Sequence, residues 1–243
     1  DTKLSDLLGG DKEYVATMRL GLVTDTQDIT GEVLETHGTD GIGEYDVRRV
    51  LASFVGETEQ LPPMYSSIKV GGKKLYELAR EGKTVERKAR KITVYEIEYL
   101  GTVAENEYKF RIACSKGTYI RTIIDDAGRA LGCGACMTSL RRTKANGFSL
   151  ADAVPLEEAE KLAKEGHIAS VCRSSEGCFD FLGRCTVPEN GLKFYLNGGS
   201  IGEKRLSDVT EKTELMRAYS ENGMFLGLCR LEEGEVKAVW KRI

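Results

Sequence analysis

Apolar and polar residues alternate along 13–20 (EYVATMRL), which predicts a strand with one face in a core. The next segment, 24–33 (TDTQDITGEV), is rich in turn formers and leads into another strand-like stretch. Residues 45–56 carry helical spacing through Val47, Val50, Leu51 and Phe54, with Gly56 as a natural stop. Pro62 and Pro63 then open a segment that turns at Gly71 and Gly72 and continues into a short helix ending at Gly82. Residues 91–103 and 107–114 alternate on either side of a polar break, so they are expected to pair antiparallel. Tyr108, Phe110, Ile112 and Cys114 would face the core, leaving Lys109 and Arg111 outside.

Residues 115–132 read as a strand-to-helix transition, with Thr118 as N-cap, Arg121 and Asp125 spaced for a helical ion pair, and Gly132 closing the helix. The neighbouring carboxylates Asp125 and Asp126 point about 100° apart on a helix. Arg121 and Arg129 both stand four positions from Asp125, so the two aspartates are read as surface pairing partners and not as a catalytic dyad. A helix is expected at 155–166, then a loop-rich stretch to about Arg184. Short Gly-punctuated segments follow, ending in two strands that flank a Glu-Glu-Gly turn. The pattern as a whole is α+β, with a boundary that divides the chain into 1–183 and a small β-rich module at 184–243.

Composition narrows the class. A chain of 243 residues, 41% apolar and 30% charged, can bury a substantial core without staples. Its seven cysteines are odd in number and irregular in spacing, and read as free thiols. Cys133 and Cys136 form a C-x-x-C, but a second such pair is missing and His37 and His167 lie far off, which weakens a zinc or redox reading. Apolar runs fall short of a bilayer span and no leader opens the chain, so a soluble cytoplasmic protein is expected, with no membrane partner. Net charge is −3, yet residues 1–60 hold 5 basic and 13 acidic side chains, whereas 69–91 hold 9 basic and 3 acidic. Arg141, Arg142 and Lys144 form a further basic patch. Such asymmetry fits a localised phosphate-binding stripe, and it also fits a solvated helix face with a lysine-rich turn. The absence of a G-x-S-x-G elbow, a Walker loop, a dinucleotide fingerprint and a metal-ligand cluster weakens hydrolase, NTPase and oxidoreductase readings.

Three stretches, 2–33 (TKLSDLLGGDKEYVATMRLGLVTDTQDITGEV), 61–82 (LPPMYSSIKVGGKKLYELAREG) and 114–150 (CSKGTYIRTIIDDAGRALGCGACMTSLRRTKANGFSL), resemble the TruB family of bacterial tRNA pseudouridine synthases, in the family's order. Residues from about Arg184 resemble, less closely, the PUA domain that often follows this catalytic domain. The resemblance implies a mainly antiparallel pseudouridine-synthase sheet with flanking helices. It also implies isomerisation of uridine 55 in the tRNA T-loop to pseudouridine, without metal, nucleotide or organic cofactor. The partner would be the T-arm stem-loop of tRNA, the enzyme a monomer with no obligatory protein partner. The stacked target base would have to be extruded into a pocket, where an aspartate attacks the sugar or the base.

Residue by residue, the resemblance makes Tyr14 the tyrosine that lies against the target ring and is implicated in proton transfer. Tyr119 and Arg121 become pocket residues, with Arg121 pairing with the nucleophilic aspartate; an adjacent guanidinium keeps a carboxylate ionised and oriented. Leu140 becomes an apolar wall of the pocket and Lys3 a basic residue near it. Lys69, Lys73, Lys74, Arg80, Arg141 and Arg142 would meet RNA phosphates. Outside that context Tyr14 reads as strand core, Arg121 as a helical ion pair, Leu140 as packing and Lys3 as a solvated terminus.

One departure stands out. The family's nucleophile sits in a G-T-L-D-P-like motif shortly upstream of the position matching Lys3, and Asp1, Asp6 and Asp11 are not in that context. Residues 1–243 alone are therefore expected to be inactive, and the protein they come from active. A non-catalytic RNA-binding or tRNA-folding protein on the same scaffold is the alternative.

Overall fold

Alternation along 13–20 places one strand in the middle of a sheet, and the rest of the first half of the chain is arranged around it. The computed structural model describes residues 2–242, with the side chains of Thr2, Lys3 and Ser5 outside the description. In chain order the elements begin with α1 (Thr2–Leu7), β1 (Lys12–Leu20), β2 (Leu22–Thr24), β3 (Val33–Thr36) and α2 (Glu44–Ala52). Next come β4 (Gly56–Gln60), β5 (Lys69–Val70), β6 (Lys73–Lys74), α3 (Leu75–Arg80), β7 (Arg90–Ala104) and β8 (Glu107–Cys114). Then follow α4 (Ile120–Leu131), β9 (Ala135–Ala145), β10 (Phe148–Ser149), α5 (Leu156–Lys164), β11 (Arg184–Val187) and α6 (Glu189–Leu196). The last strands are β12 (Ile201–Gly202), β13 (Leu215–Ser220), β14 (Phe225–Glu232) and β15 (Glu235–Lys241). Two compact units result, one of Gly10–Ala153 and one of the residues up to Gly9 with those from Val154 onward.

The first unit is built on a six-stranded sheet in the order β10-β9-β1-β8-β7-β4, with every neighbouring pair antiparallel. Its core face collects Ala16, Met18, Phe110, Ile112, Ile92 and Val94, covered by Val47 and Leu51 of α2 and by Ile120, Ile123, Ile124 and Ala127 of α4. Each fully buried large aliphatic or aromatic side chain contributes about 1.5–3 kcal/mol. Tyr108, Phe110, Ile112 and Cys114 are buried as their alternation predicts, and Lys109 is exposed. Helix α4 lies unusually close to the sheet: a Cβ on Gly128 would sit 2.1 Å from the backbone nitrogen of Ala135. Gly132 ends α4 at φ 78°, a left-handed position that favours glycine.

Several local expectations are corrected. Helix α2 stops at Ala52 with Ser53 as its cap, and Gly56 instead opens β4 at φ +119°. Thr118 does not cap α4. Its hydroxyl donates to the Ser115 carbonyl at 2.9 Å, and the chain enters the helix at Ile120 with extended Tyr119 as the cap. Arg121 does not pair with Asp125. Asp125 is buried, not on the helix surface, and bonds Arg129 and Gln27. Cys133 and Cys136 are both buried, and burial pushes the Cys136 thiol up to about 11, so they belong to the packing. Among the described residues no cluster of three or more His, Cys, Asp or Glu could hold a metal ion, and no helix is long and apolar enough to cross a membrane.

The reverse face of the same sheet carries a polar network. Buried Glu13 on β1 accepts from Arg111 at 2.9 Å, Thr143 at 2.8 Å and Lys144 at 3.0 Å, and Arg111 also reaches Glu96 and Glu98. Burial raises the Glu13 carboxyl, but the bonds from Thr143, Lys144 and Arg111 outweigh it and hold the group below the usual carboxylate range. A lowered folded-state value stabilises the fold above the unfolded pKa, and that stability is lost as pH falls through the folded value. Glu13→Gln is expected to cost about 2 kcal/mol at neutral pH and to flatten the acid side of a stability-versus-pH curve. Denaturant melts at stepped pH measure both. An unchanged acid slope would remove Glu13 as a contributor.

The second unit has a five-stranded sheet, β11-β13-β14-β15-β12, in which only β11 and β13 run parallel. Strands β14 and β15 are joined at Glu233 and Gly234, both at positive φ, the geometry of a tight hairpin turn. Cys185, Val187, Tyr195, Met216, Ala218 and Cys229 form one core, and Phe179, Tyr219, Phe225 and Leu228 another, against which Leu4 and Leu7 of α1 pack.

Candidate active site

The turn formers of 24–31 make a loop that is stitched to the sheet at two points. Ile29 donates to the Met137 carbonyl at 2.8 Å, and Met137 donates to the Gln27 carbonyl at 3.0 Å. Asp28, held between them, accepts at one carboxylate oxygen from Thr26 and from the hydroxyl and amide of Thr30. Its other oxygen meets Arg121 at 3.3 Å. Burial pushes the Asp28 carboxyl up, yet the Thr30 and Thr26 bonds and the Arg121 charge bring it below the usual carboxylate range. It is an ionised carboxylate beside a guanidinium, each side chain less than one-fifth exposed.

Arg121 stands in the first turn of α4 and donates a second bond to the Tyr65 carbonyl. The segment that carries Tyr65 is anchored at Gln60 and at Tyr65 itself. Buried Gln60 pairs with both backbone groups of Tyr119, accepting from its amide at 2.8 Å and donating to its carbonyl at 3.1 Å. The Tyr65 hydroxyl donates to Asp25 at 3.0 Å. Thus the 24–31 loop and the Tyr65 carbonyl meet at the Arg121 guanidinium, and β4 is tied to the residue that caps the same helix.

Tyr14 stands on the core face of β1, in register with Arg142 of β9; Leu140 is in register with Ala16 on the same face. Tyr14 is partly buried, and burial raises its phenol against the pull of Arg142. Gly128 abuts the start of β9, and Thr122 and Asp125 are bonded to Gln27, which joins β9 at Met137. Helix α4 therefore climbs β9 with its first turn toward the half that carries Leu140 and Arg142. Leu140 is 43% exposed, an apolar side chain left open on that face.

The remaining expected residues are distributed more widely. Arg141 is in register with Val15, on the sheet face opposite Arg142, so the two arginines do not form one patch. Lys69 and Lys73 lie on an exposed β5–β6 hairpin turned by Gly71 and Gly72, both at positive φ. Lys73 pairs with Glu81 at 3.4 Å, while Lys74 and Arg80 both sit over the Tyr76 ring, at 5.4 and 5.3 Å. Lys3 is on α1, and its side chain lies outside the described residues.

Asp28, Gln27, Gln60 and Tyr65 were missed as site residues. The Thr-Asp-Thr-Gln-Asp-Ile-Thr run signals Asp-centred turns, but nothing in its spacing says which carboxylate meets α4.

The fold has counterparts among solved structures. It matches a solved structure described as a Cbf5-Nop10-Gar1 complex with TM-score 0.66 and 24% identity, over 97% of this chain and 67% of that one. It also matches an H/ACA ribonucleoprotein bound to a substrate RNA containing 2'-deoxyuridine, with TM-score 0.66 and 21% identity, over 99% and 68%. The family model for the TruB family pseudouridylate synthase N-terminal domain covers residues 1–120, and that for the tRNA pseudouridylate synthase B C-terminal domain covers 121–178. The tRNA pseudouridine synthase B of Clostridium perfringens (strain 13 / Type A) is 39% identical over 96% of this chain and 78% of its own length. That of Nitrosococcus oceani is 51% identical over 67% of this chain and 53% of its own. The chain belongs to the TruB family of tRNA pseudouridine synthases.

Proposed function

We propose that the protein isomerises uridine 55 in the T-loop of tRNA. The N1–C1′ glycosidic bond breaks, the ring turns, a C5–C1′ bond forms, and the C5 hydrogen leaves as a proton. The observation that carries this reading is the largely buried Arg121 guanidinium, held by Asp28 and the Tyr65 carbonyl in the first turn of α4. A guanidinium fixed in this way keeps a second, incoming carboxylate ionised and aimed. That carboxylate is read as the aspartate of the family's motif, ahead of residue 1. Tyr14 would lie against the extruded ring, Tyr119 would line the pocket, and Leu140 would supply an apolar wall. Base flipping fits a site of this kind, because the reacting atoms of a stacked uridine are out of reach.

Lys69, Lys73, Lys74, Arg80 and Arg142 are assigned to phosphates of the T-arm, and Arg141, on the reverse face, contributes only if RNA wraps the sheet edge. Lys3 is assigned as a basic residue near the site on the resemblance alone. Residues 184–243 are assigned as a PUA-like RNA-binding module beside a catalytic domain of 1–183. The protein would work as a cytoplasmic monomer without a cofactor.

The test is release of hydrogen from C5-labelled uridine in a T-arm transcript, by protein that carries the aspartate motif ahead of residue 1. Release is expected, and it should vanish when position 55 is cytidine. Binding without release would favour a non-catalytic RNA-folding protein.

A further inference from the structure

Gln27 bridges the 24–31 loop and α4 with every polar group of its side chain. Its amide oxygen accepts from the Thr122 hydroxyl at 2.8 Å, and its amide nitrogen donates to Asp125 at 2.9 Å. Thr122 and Asp125 are both buried, so neither bond can be replaced readily by water. The backbone is committed too. Gln27 sits at φ 64°, a conformation rare for a side-chain-bearing residue, and its carbonyl accepts from Met137. The neighbouring residue is Asp28. With Gln27 pinned to α4 at one turn and Arg121 projecting from the same helix, the Gln27 amide ties the backbone beside Asp28 directly to the helix that carries Arg121. Asp125 is fixed in turn by Arg129, at 2.9 Å, so the acceptor on α4 is itself oriented.

We infer that Gln27 is a positioning residue for the isomerisation: its clamp on Thr122 and Asp125 holds Asp28 against Arg121 and so aims the guanidinium at the attacking carboxylate. This rests on the function proposed above. The side-chain bonds of Gln27 go to Thr122 and Asp125, and Arg121 is bonded by Asp28 and the Tyr65 carbonyl instead. Gln27 acts through Asp28, and a displacement of about 1 Å at such a site costs up to roughly 100-fold in rate.

The test uses Gln27→Met, which keeps length and removes both bonds, in protein carrying the aspartate motif. Expected are a roughly 10- to 100-fold fall in kcat and an RNA Kd within about twofold of wild type, because the clamp faces α4 and not the phosphates. A merely structural role is separated by a double-mutant cycle. In an Asp28→Asn background, Gln27→Met should lower kcat by less than about twofold further, since its effect has already been lost. An unchanged kcat in Gln27→Met, or losses that multiply in the double variant, would overturn the inference. If Gln27→Met does not fold, Thr122→Val removes one bond from the other side, and a wild-type kcat there sinks the idea equally. The two failures are distinguishable. Wild-type protein that releases no hydrogen defeats the functional reading, whereas active wild type with unaffected clamp variants defeats only the positioning role.

Discussion

Arg121→Ala is expected to lower kcat on a T-arm substrate by on the order of 10³-fold, the size of losing one pre-aimed charge-stabilising group. RNA affinity should change by less than about threefold, because the guanidinium is less than one-fifth exposed and already committed to Asp28 and Tyr65. The loss has two parts: the attacking carboxylate loses its partner, and Asp28 is left ionised with no cation beside it. Single-turnover rates at saturating RNA, set against equilibrium binding of the same transcript, separate chemistry from affinity. Equal losses in both would recast Arg121 as a phosphate ligand or a support for the fold.

The second large effect is electrostatic. Replacing Lys73, Lys74 and Arg80 together by glutamine should weaken T-arm binding and flatten the plot of log affinity against log salt by about 2, at roughly 0.7–0.9 for each phosphate no longer neutralised. The reduction should fall short of three full charges, since Lys73 shares Glu81 with Lys83. Lys74 and Arg80 lie over Tyr76, which keeps both cations near one spot at the edge of the hairpin. Affinity measured from low to moderate salt gives the slope. If the slope is unchanged, the hairpin lies outside the RNA footprint.

Legibility in the sequence followed burial. Strands β1, β7 and β8 could be read because their alternate residues enter one core, and the pairing of β7 with β8 followed from the short polar break between them. Strand β4 could not. It is a sheet edge whose first four residues are exposed, so no alternation marks it. Strand β9 begins with two buried residues and ends in charged ones, which hides its period. The proposed site residues Tyr14, Tyr119, Arg121 and Leu140 rest on resemblance, not on any local pattern. The partner of Arg121 was misplaced for a physical reason. Helical spacing favours Asp125, but the buried Asp125 is taken by Gln27 and Arg129, and the guanidinium swings to a loop 93 residues earlier. Long-range bonds of that sort leave no periodic trace.

The proposed function has this scaffold receive uridine 55 and isomerise it. The most direct measurement maps pseudouridine at nucleotide resolution in a full tRNA transcript after incubation with protein carrying the aspartate motif. A single new modification at position 55, absent with Arg121→Ala, is the predicted result. Pseudouridine elsewhere in the transcript, or none at 55 despite tight binding, would contradict it.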